Sequence, residues 1–440
     1  MRIEILNTGT ELLLGNTVNT HAAWFGRELF KLGLRIERQV TVPDGDAIRE
    51  AMAEAVGRAD VLIVTGGLGP TSDDLTREIT AEVLGLELIE DEAAMRSLET
   101  FFAKRGRVMA ESNRKQALIP VGADVLPNPN GTAPGVYVPP RLNGRSGCAV
   151  FLLPGPPREL YPMYEAEVPH RLKALFGIES APPLLELKFT GVGESDFHQG
   201  VDAQLAAIPG LEFGYCAHIG EVDLRLIGPR PALEQARAIA LGKFQEFLIS
   251  DDGSSLEQTV VRLLKERSMT LATAESCTGG LISKRITDVP GASAVFTHGF
   301  VTYANAAKVQ LLGVSEEVLA IHGAVSEEVA RQMAAGALAT SGADIAVSVT
   351  GIAGPDGGTQ DKPVGTAWIG LAVKGREASA FKVYHPRNRH DFRRAVSQAA
   401  LEAVRRRLKA EMKKAEVLRS SLRQESRSDA SASVAQSMDD

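Results

Sequence analysis

Thr273–Gly280 reads TAESCTGG, and the chain is best read outward from it. It follows the apolar segment Met269–Ala272 (MTLA) and precedes Leu281–Ile286, which has helical character. A strand, a glycine-closed turn and a helix are predicted here, with Ser276 at the helix N-terminus. Backbone N–H groups and the positive end of the helix dipole converge at such a point. The position suits a nucleophilic hydroxyl or an anionic ligand. A plain helix cap at Ser276 or Thr278 is the ordinary alternative.

Three downstream stretches favour chemistry. GFVTYANAAK (Gly299–Lys308) places Tyr303 and Lys308 in one short span. TGIAGPDGG (Thr350–Gly358) is a second glycine-rich turn after the apolar run Ile345–Val349, and PRNRHDFRR carries Arg389. A serine needs a base to become nucleophilic, and no Ser-His-Asp arrangement is visible. A lysine serves if its ammonium is desolvated, and Lys308 lies among Ala306, Ala307 and Val309. These residues point to amide or ester hydrolysis through an acyl-serine.

The N-terminal part has a different signature. Arg2–Asn7 reads as a buried strand ending in GTELLLG, which supplies Glu11. Val18, Ala22, Phe25, Leu29 and Leu32 recur at helical spacing, and Gly33 closes the helix. Leu34–Val42 is strand-like, Asp46–Val56 helical, and Val61–Thr65 a short buried strand. This alternation predicts a parallel sheet covered on both faces, with ligand loops at the carboxyl ends of its strands. TGGLGPTSDDLT (Thr65–Thr76) leaves such a strand through Gly66, Gly67 and Gly69 and reaches Asp73 and Asp74. Glycines let backbone amides approach phosphate oxygens, and carboxylates hold a hard divalent cation against them. Asp73 and Asp74 are assigned to metal and water, with Glu11 and Asp44 (in VPDGD) as weaker metal candidates. NPNGTAPG brings Asn130 and Thr132 as ligand contacts, and LLPGPPREL leaves a further apolar strand. On the residues alone, turn chemistry remains an equal reading of the glycine loop.

Composition narrows the class. The chain has 440 residues, 44% of them hydrophobic and 23% charged, as in an ordinary multidomain globular protein. A net charge of −7 argues against general affinity for nucleic acid or an anionic membrane. Cys148, Cys216 and Cys277 are far apart with no CxxC pair, which predicts a reducing compartment and no disulfide framework. Cys277, beside Ser276, is read as a small buried thiol rather than a rival nucleophile. With no leader-like N-terminus and no membrane-length apolar run, a cytoplasmic location is expected. Between the two halves the texture is β-α-β-β-α, without a basic face. Asp251–Ser255 (DDGSS) reads as a linker, and Arg405–Arg407 as a solvated helix end.

Taken in order, AESCTGG, GFVTYANAAK, GAVSEEVA, TGIAGPDGG, KPVGT and the late arginine turn resemble the C-terminal domain of the CinA family. The N-terminal strings resemble the molybdopterin-binding fold at the start of the same family's proteins. The resemblance implies an α/β architecture in four parts. Residues 1–172 form a molybdopterin-binding-like, three-layer α/β domain associated with ADP-ribose pyrophosphatase activity. Residues 173–252 form a small α+β KH-like domain, though no GXXG clamp lies between its helices. Residues 253–415 form a PncC-type nicotinamide mononucleotide deamidase domain, and 416–440 a disordered tail. It further implies Ser276 as nucleophile, Lys308 as base and Tyr303 as orienting or relay group. Substrate would be held by Thr278, Gly279, Thr350, Gly351 and Arg389, and the oxyanion by backbone amides at Gly291, Ala292 and Ser293. A divalent metal (Mg or Co, with K) is implied at the N-terminal site and none at the deamidase site. A homodimer is implied as well. Two rival readings remain: a pterin- or nucleotide-binding module without chemistry at the N-terminus, and an interaction protein of competence or DNA damage.

Overall fold

A computed structural model describes residues 1–142, 147–178 and 181–410. The tail expected over 416–440 lies outside the described residues. The chain divides into two units, Met1–Pro182 and Pro183–Asp440. The helix closing the first unit, Pro157–Phe176, runs past the boundary expected at 172.

The first unit is built on a six-stranded sheet. Its strands are β1 (Ile3–Thr8), β2 (Ile36–Val42), β3 (Val61–Thr65), β6 (Asp124–Leu126), β7 (Gly135–Val138) and β8 (Ala149–Leu153). A separate pair, β4 (Leu88–Glu90) and β5 (Leu118–Pro120), lies outside it. The order is β2-β1-β3-β8-β7-β6. The first four strands are parallel, but β7 is antiparallel to β8 and pairs antiparallel with β6 in turn, so the expected all-parallel sheet is corrected to a mixed one. Alternation along the strands splits the core. Ile3, Ile5, Val61 and Ile63 pack on one face with Phe25 and Leu29, whereas Leu6, Leu62 and Val64 pack on the other with Ile48 and Met52. The helix read from Val18 to Leu32 spans only His21–Phe30. Val18 precedes it and is exposed, so its match to the helical spacing is coincidental.

The second unit opens with β9 (Leu184–Thr190), β10 (Glu212–His218), β11 (Glu221–Ile227) and β12 (Leu248–Ser250), in the order β10-β11-β9-β12. The strand β12 extends the expected β-α-β-β-α pattern by one element. Its helices, 194–206 (with a π-helical turn at His198–Asp202) and Arg230–Phe244, cover one face around Phe189, Phe197 and Phe244. The segment after β12 is not a loose linker. Ser255 and Gln258 form a reciprocal cap on the helix Leu256–Glu266, and Arg262 pairs with Asp252 at 2.9 Å.

A five-stranded sheet follows, in the order β14-β13-β15-β16-β17. Its strands are β13 (Leu271–Glu275), β14 (Phe296–Val301), β15 (Ile345–Gly351), β16 (Thr366–Val373) and β17 (Ser379–Tyr384). The strands β14, β13 and β15 are parallel, β16 is antiparallel to β15, and β17 is antiparallel to β16. One face packs on Leu256–Glu266 and on a long helix over 389–410, the other on Glu327–Ser341. That long helix also corrects the reading of Arg405–Arg407. Arg405 is fully buried, grips Glu402 at 2.6 and 2.7 Å, and donates to the Leu248 carbonyl of β12 at 2.6 Å. It ties the small sheet to the last helix instead of facing solvent. Among the described residues no helix is long and apolar enough to cross a membrane.

Candidate active sites

Ser276, Thr302 and Thr350 all lie at the carboxyl ends of the parallel strands β13, β14 and β15, where ligand loops of α/β sheets gather. Ser276 is 8% exposed and its amide donates to the Val349 carbonyl at 3.0 Å, pinning the turn to the neighbouring strand. The following helix, Leu281–Thr287, begins five residues later, capped by Gly280 in the left-handed conformation. Ser276 is therefore not at the helix N-terminus, contrary to the sequence reading. Glu275, fully buried, takes that place. Its carboxylate accepts from the amides of Ile282 (3.0 Å) and Ser283 (2.8 Å) and from the Ser283 hydroxyl (2.7 Å). Sequence reasoning missed Glu275, because it closes β13 six residues before the helix starts, outside the spacing of a local cap.

Lys308 reaches Ser276 from the helix Asn305–Leu312. It is 1% exposed, and burial holds its pKa below the ordinary lysine value. The ammonium nitrogen has three neighbours: Ser276 Oγ at 3.2 Å, the Thr302 carbonyl at 3.0 Å and the Tyr303 carbonyl at 3.3 Å. Carbonyl oxygens can only accept. In a neutral amine the two N–H bonds go to those carbonyls, and the lone pair is left facing the serine hydroxyl. Cys277 cannot compete as nucleophile, because burial pushes its thiol up to about 12.

The Tyr303 side chain is exposed and points its hydroxyl at Arg389, which donates to it at 2.9 Å and to the Gly354 carbonyl at 3.0 Å. Arg389 thus joins the β14 loop to the TGIAGPDGG loop. Thr350 Oγ1 donates to the Ala324 carbonyl at 2.7 Å, and Gly351 packs so tightly on β16 that a Cβ would stand 2.7 Å from that of Ala367. Thr278 is buried, and its Oγ1 has no hydrogen-bond partner among the described residues. Gly279, at φ 57°, faces Arg393, a residue the sequence reading passed over. Arg393 clamps the nucleophile turn by donating to the Thr278 carbonyl at 2.6 and 3.2 Å.

One expected group is displaced. Gly291, Ala292 and Ser293 precede β14, and Val295 accepts from the amide of Leu271 at the start of β13. They therefore sit at the amino end of the sheet, a strand's length of roughly 15 Å from the carboxyl end. Within one chain they cannot form an oxyanion hole for Ser276.

In the first unit, a cavity of about 350 Å³ lies at the carboxyl ends of β1, β3 and β8. Gly66, Gly67, Gly69, Glu11, Asp44, Asp73, Asp74 and Thr132 all line it. Asn130 is not among its walls; its side chain donates to the Arg158 carbonyl at 3.3 Å. Asp74 accepts from the Thr71 amide (3.0 Å) and hydroxyl (2.5 Å), and Asp73 accepts from the same hydroxyl. That hydroxyl holds Asp73 below its ordinary pKa. Asp44 accepts from the Thr10 amide at 3.0 Å. Glycine is required at two points, since Gly66 and Gly67 have φ of 96° and 64° and a Cβ there would stand 2.7 Å from the Thr8 carbonyl oxygen or 2.1 Å from Thr76 Oγ1. Lys115, Gln116 and Glu159 were missed. Lys115 donates to the carbonyl oxygens of Thr71 and Asp74, Gln116 donates to Thr132 at 3.2 Å, and Glu159 lines the cavity and accepts from Asn128 Nδ2 at 2.9 Å. Among the described residues no three His, Cys, Asp or Glu side chains converge to hold a metal by themselves. The hard oxygen donors fit a cation that takes one or two carboxylates and completes its shell with phosphate and water.

Fold and sites together define a two-unit α/β protein with a glycine-lined ligand cavity in one unit and a buried Ser–Lys pair in the other. The sequence profile described as "CinA C-terminal domain" matches residues 253–408, and that described as "Probable molybdopterin binding domain" matches residues 4–174. The chain is 52% identical to a CinA-like protein of Akkermansia muciniphila over 405 residues, 92% of this chain and 97% of that one. It is 42% identical to a CinA-like protein of Desulfovibrio desulfuricans, over 92% of this chain and 96% of the other. It therefore belongs to the CinA family. A solved structure titled competence/damage inducible protein CihA, from Agrobacterium tumefaciens, shares 43% identity. It covers 34% of this chain and 91% of its own, with a TM-score of 0.33.

Proposed function

We propose that the protein is a hydrolase with two reaction centres, a nicotinamide mononucleotide deamidase at Ser276 and a metal-dependent ADP-ribose pyrophosphatase in the first unit. The observation that carries the first is the buried Lys308 amine, 3.2 Å from Ser276 Oγ and turned towards it by two carbonyls. Ser276 Oγ attacks the carboxamide carbon while its proton passes to Lys308. Lys308 then gives that proton to the nitrogen, the C–N bond breaks and ammonia leaves. Water attacks the acyl-serine and its proton goes to Lys308, which passes it to Ser276 Oγ as the acyl C–O bond breaks, and nicotinic acid mononucleotide departs. With Gly291–Ser293 at the far end of the sheet, the turn's own amides at Cys277 and Thr278 are the same-chain donors for the oxyanion. Arg389 suits the nucleotide phosphate as a bidentate partner, and Tyr303 orients it.

For the second centre, the glycine loop and the carboxylates in one cavity support the reading. A bound divalent cation (Mg or Co, with K) would neutralise charge on the two phosphoryl groups. Asp73 and Asp74 would hold it, with Glu11 and Asp44 at the rim. Lys115 keeps the loop in place through its two carbonyls.

The test is ammonia release from nicotinamide mononucleotide with and without EDTA, alongside Ser276→Ala. Chelator-resistant release that the mutant lacks is expected; no release from the wild type would reject the deamidase. ADP-ribose hydrolysis should vanish with chelator and with Asp74→Ala. Binding without turnover there would leave a nucleotide- or pterin-holding module.

A further inference from the structure

A cavity of about 600 Å³ lies within the second unit, between the small four-stranded sheet and the last helix. None of Ser276, Lys308, Tyr303 or Arg389 lines it. Its volume falls in the range of small-ligand sites. Ile219, Leu371, Phe381, Ala399 and Ala403 give it an apolar wall. Phe381 stands out on β17, 41% exposed, with its ring open to stacking. The polar rim is cationic, formed by Arg387, Arg406 and Arg407. The carboxylate in the lining, Glu402, pairs with Arg406 of that rim as well as with Arg405, which leaves the anion to Arg387. His385 also lines the cavity, and its Nε2 is buried with no hydrogen-bond partner among the described residues. A buried polar atom left unmatched is costly, and a ligand supplies the match.

We propose that this cavity is a third ligand site, which takes a small organic anion with a flat apolar ring. The ring lies against Phe381 and the alanine face of the helix, and the anionic group meets Arg387. The alanines at 399 and 403 leave the room that larger residues would fill.

The test uses the full chain and two fluorescent probes of the same shape. 1-Anilinonaphthalene-8-sulfonate carries the anion, and N-phenyl-1-naphthylamine lacks it. The sulfonate should bind saturably and about tenfold or more tighter than the neutral probe, a gap expected for one charge-assisted contact. Arg387→Glu should close that gap, and Ala403→Phe should weaken both probes by filling the space. Ser276→Ala and Asp74→Ala should leave both affinities unchanged, which separates this site from the two reaction centres. Equal affinity for the two probes, no saturable binding, or insensitivity to Arg387→Glu would overturn the proposal. Arg387 is exposed, so that variant keeps the test decisive even if Ala403→Phe disturbs folding.

Discussion

Lys308→Met separates chemistry from architecture. Methionine is close to lysine in length and has no charge, so the site keeps its packing and loses its base. A positioned general base contributes about 10²- to 10⁴-fold, or about 3–5 kcal/mol of transition-state stabilisation. Ammonia release from nicotinamide mononucleotide, followed by a coupled assay at saturating substrate, should fall by that factor while KM changes little. Stability should move in the opposite sense. The wild type carries a buried amine whose pKa burial has lowered. Below that folded pKa the ammonium must be buried, and this cost fades as pH rises towards the ordinary lysine value. Against it, the variant leaves the Thr302 and Tyr303 carbonyls without their donor, at about 1–3 kcal/mol each at most. The difference in urea midpoint between variant and wild type should therefore shift in the variant's favour as pH falls. Wild-type kcat should rise with pH along a limb below the ordinary lysine range, and the variant should lack that limb. A variant keeping more than a tenth of wild-type kcat, or the same pH limb, would refute the role of Lys308.

Other perturbations probe the remaining contacts. Arg389→Met should raise KM for nicotinamide mononucleotide about tenfold or more with a smaller change in kcat, because a charge-assisted contact to the nucleotide is lost; steady-state kinetics check it. Glu275→Gln should cost about 1–3 kcal/mol in urea unfolding, since the buried carboxylate satisfies two amides and a hydroxyl at the start of Leu281–Thr287. Arg405→Met should cost about 3–5 kcal/mol by the same measurement, because it leaves Glu402 buried beside a single exposed arginine. Asp74→Ala should abolish metal-dependent ADP-ribose hydrolysis, read as AMP formation, and leave ammonia release at the wild-type level.

The sequence by itself determined the elements and their motifs. Alternation in β1 and β3, the glycines at 66, 67 and 69, and the string from Ser276 to Lys308 are local signals, because strand period, turn conformation and motif spacing are written along the chain. Tertiary structure decided what local signals do not encode. The reversed course of β7 depends on which edge that strand joins, and the amphipathic pattern is the same in either direction. Gly291–Ser293 resembled an oxyanion turn, yet its position before β14 puts it at the opposite end of the sheet from Ser276. Arg405 looked like a solvated charge, but the Leu248 carbonyl, from a distant part of the chain, is brought against it while Glu402, one helical turn away, neutralises it. The same holds for the base. Ala306, Ala307 and Val309 hinted that Lys308 is desolvated, but only the fold brings Ser276 to an amine whose N–H bonds are taken by the nearby Thr302 and Tyr303 carbonyls. Direction along a sheet, burial of a charge and the meeting of Lys308 with Ser276 are all set by contacts between segments far apart in sequence.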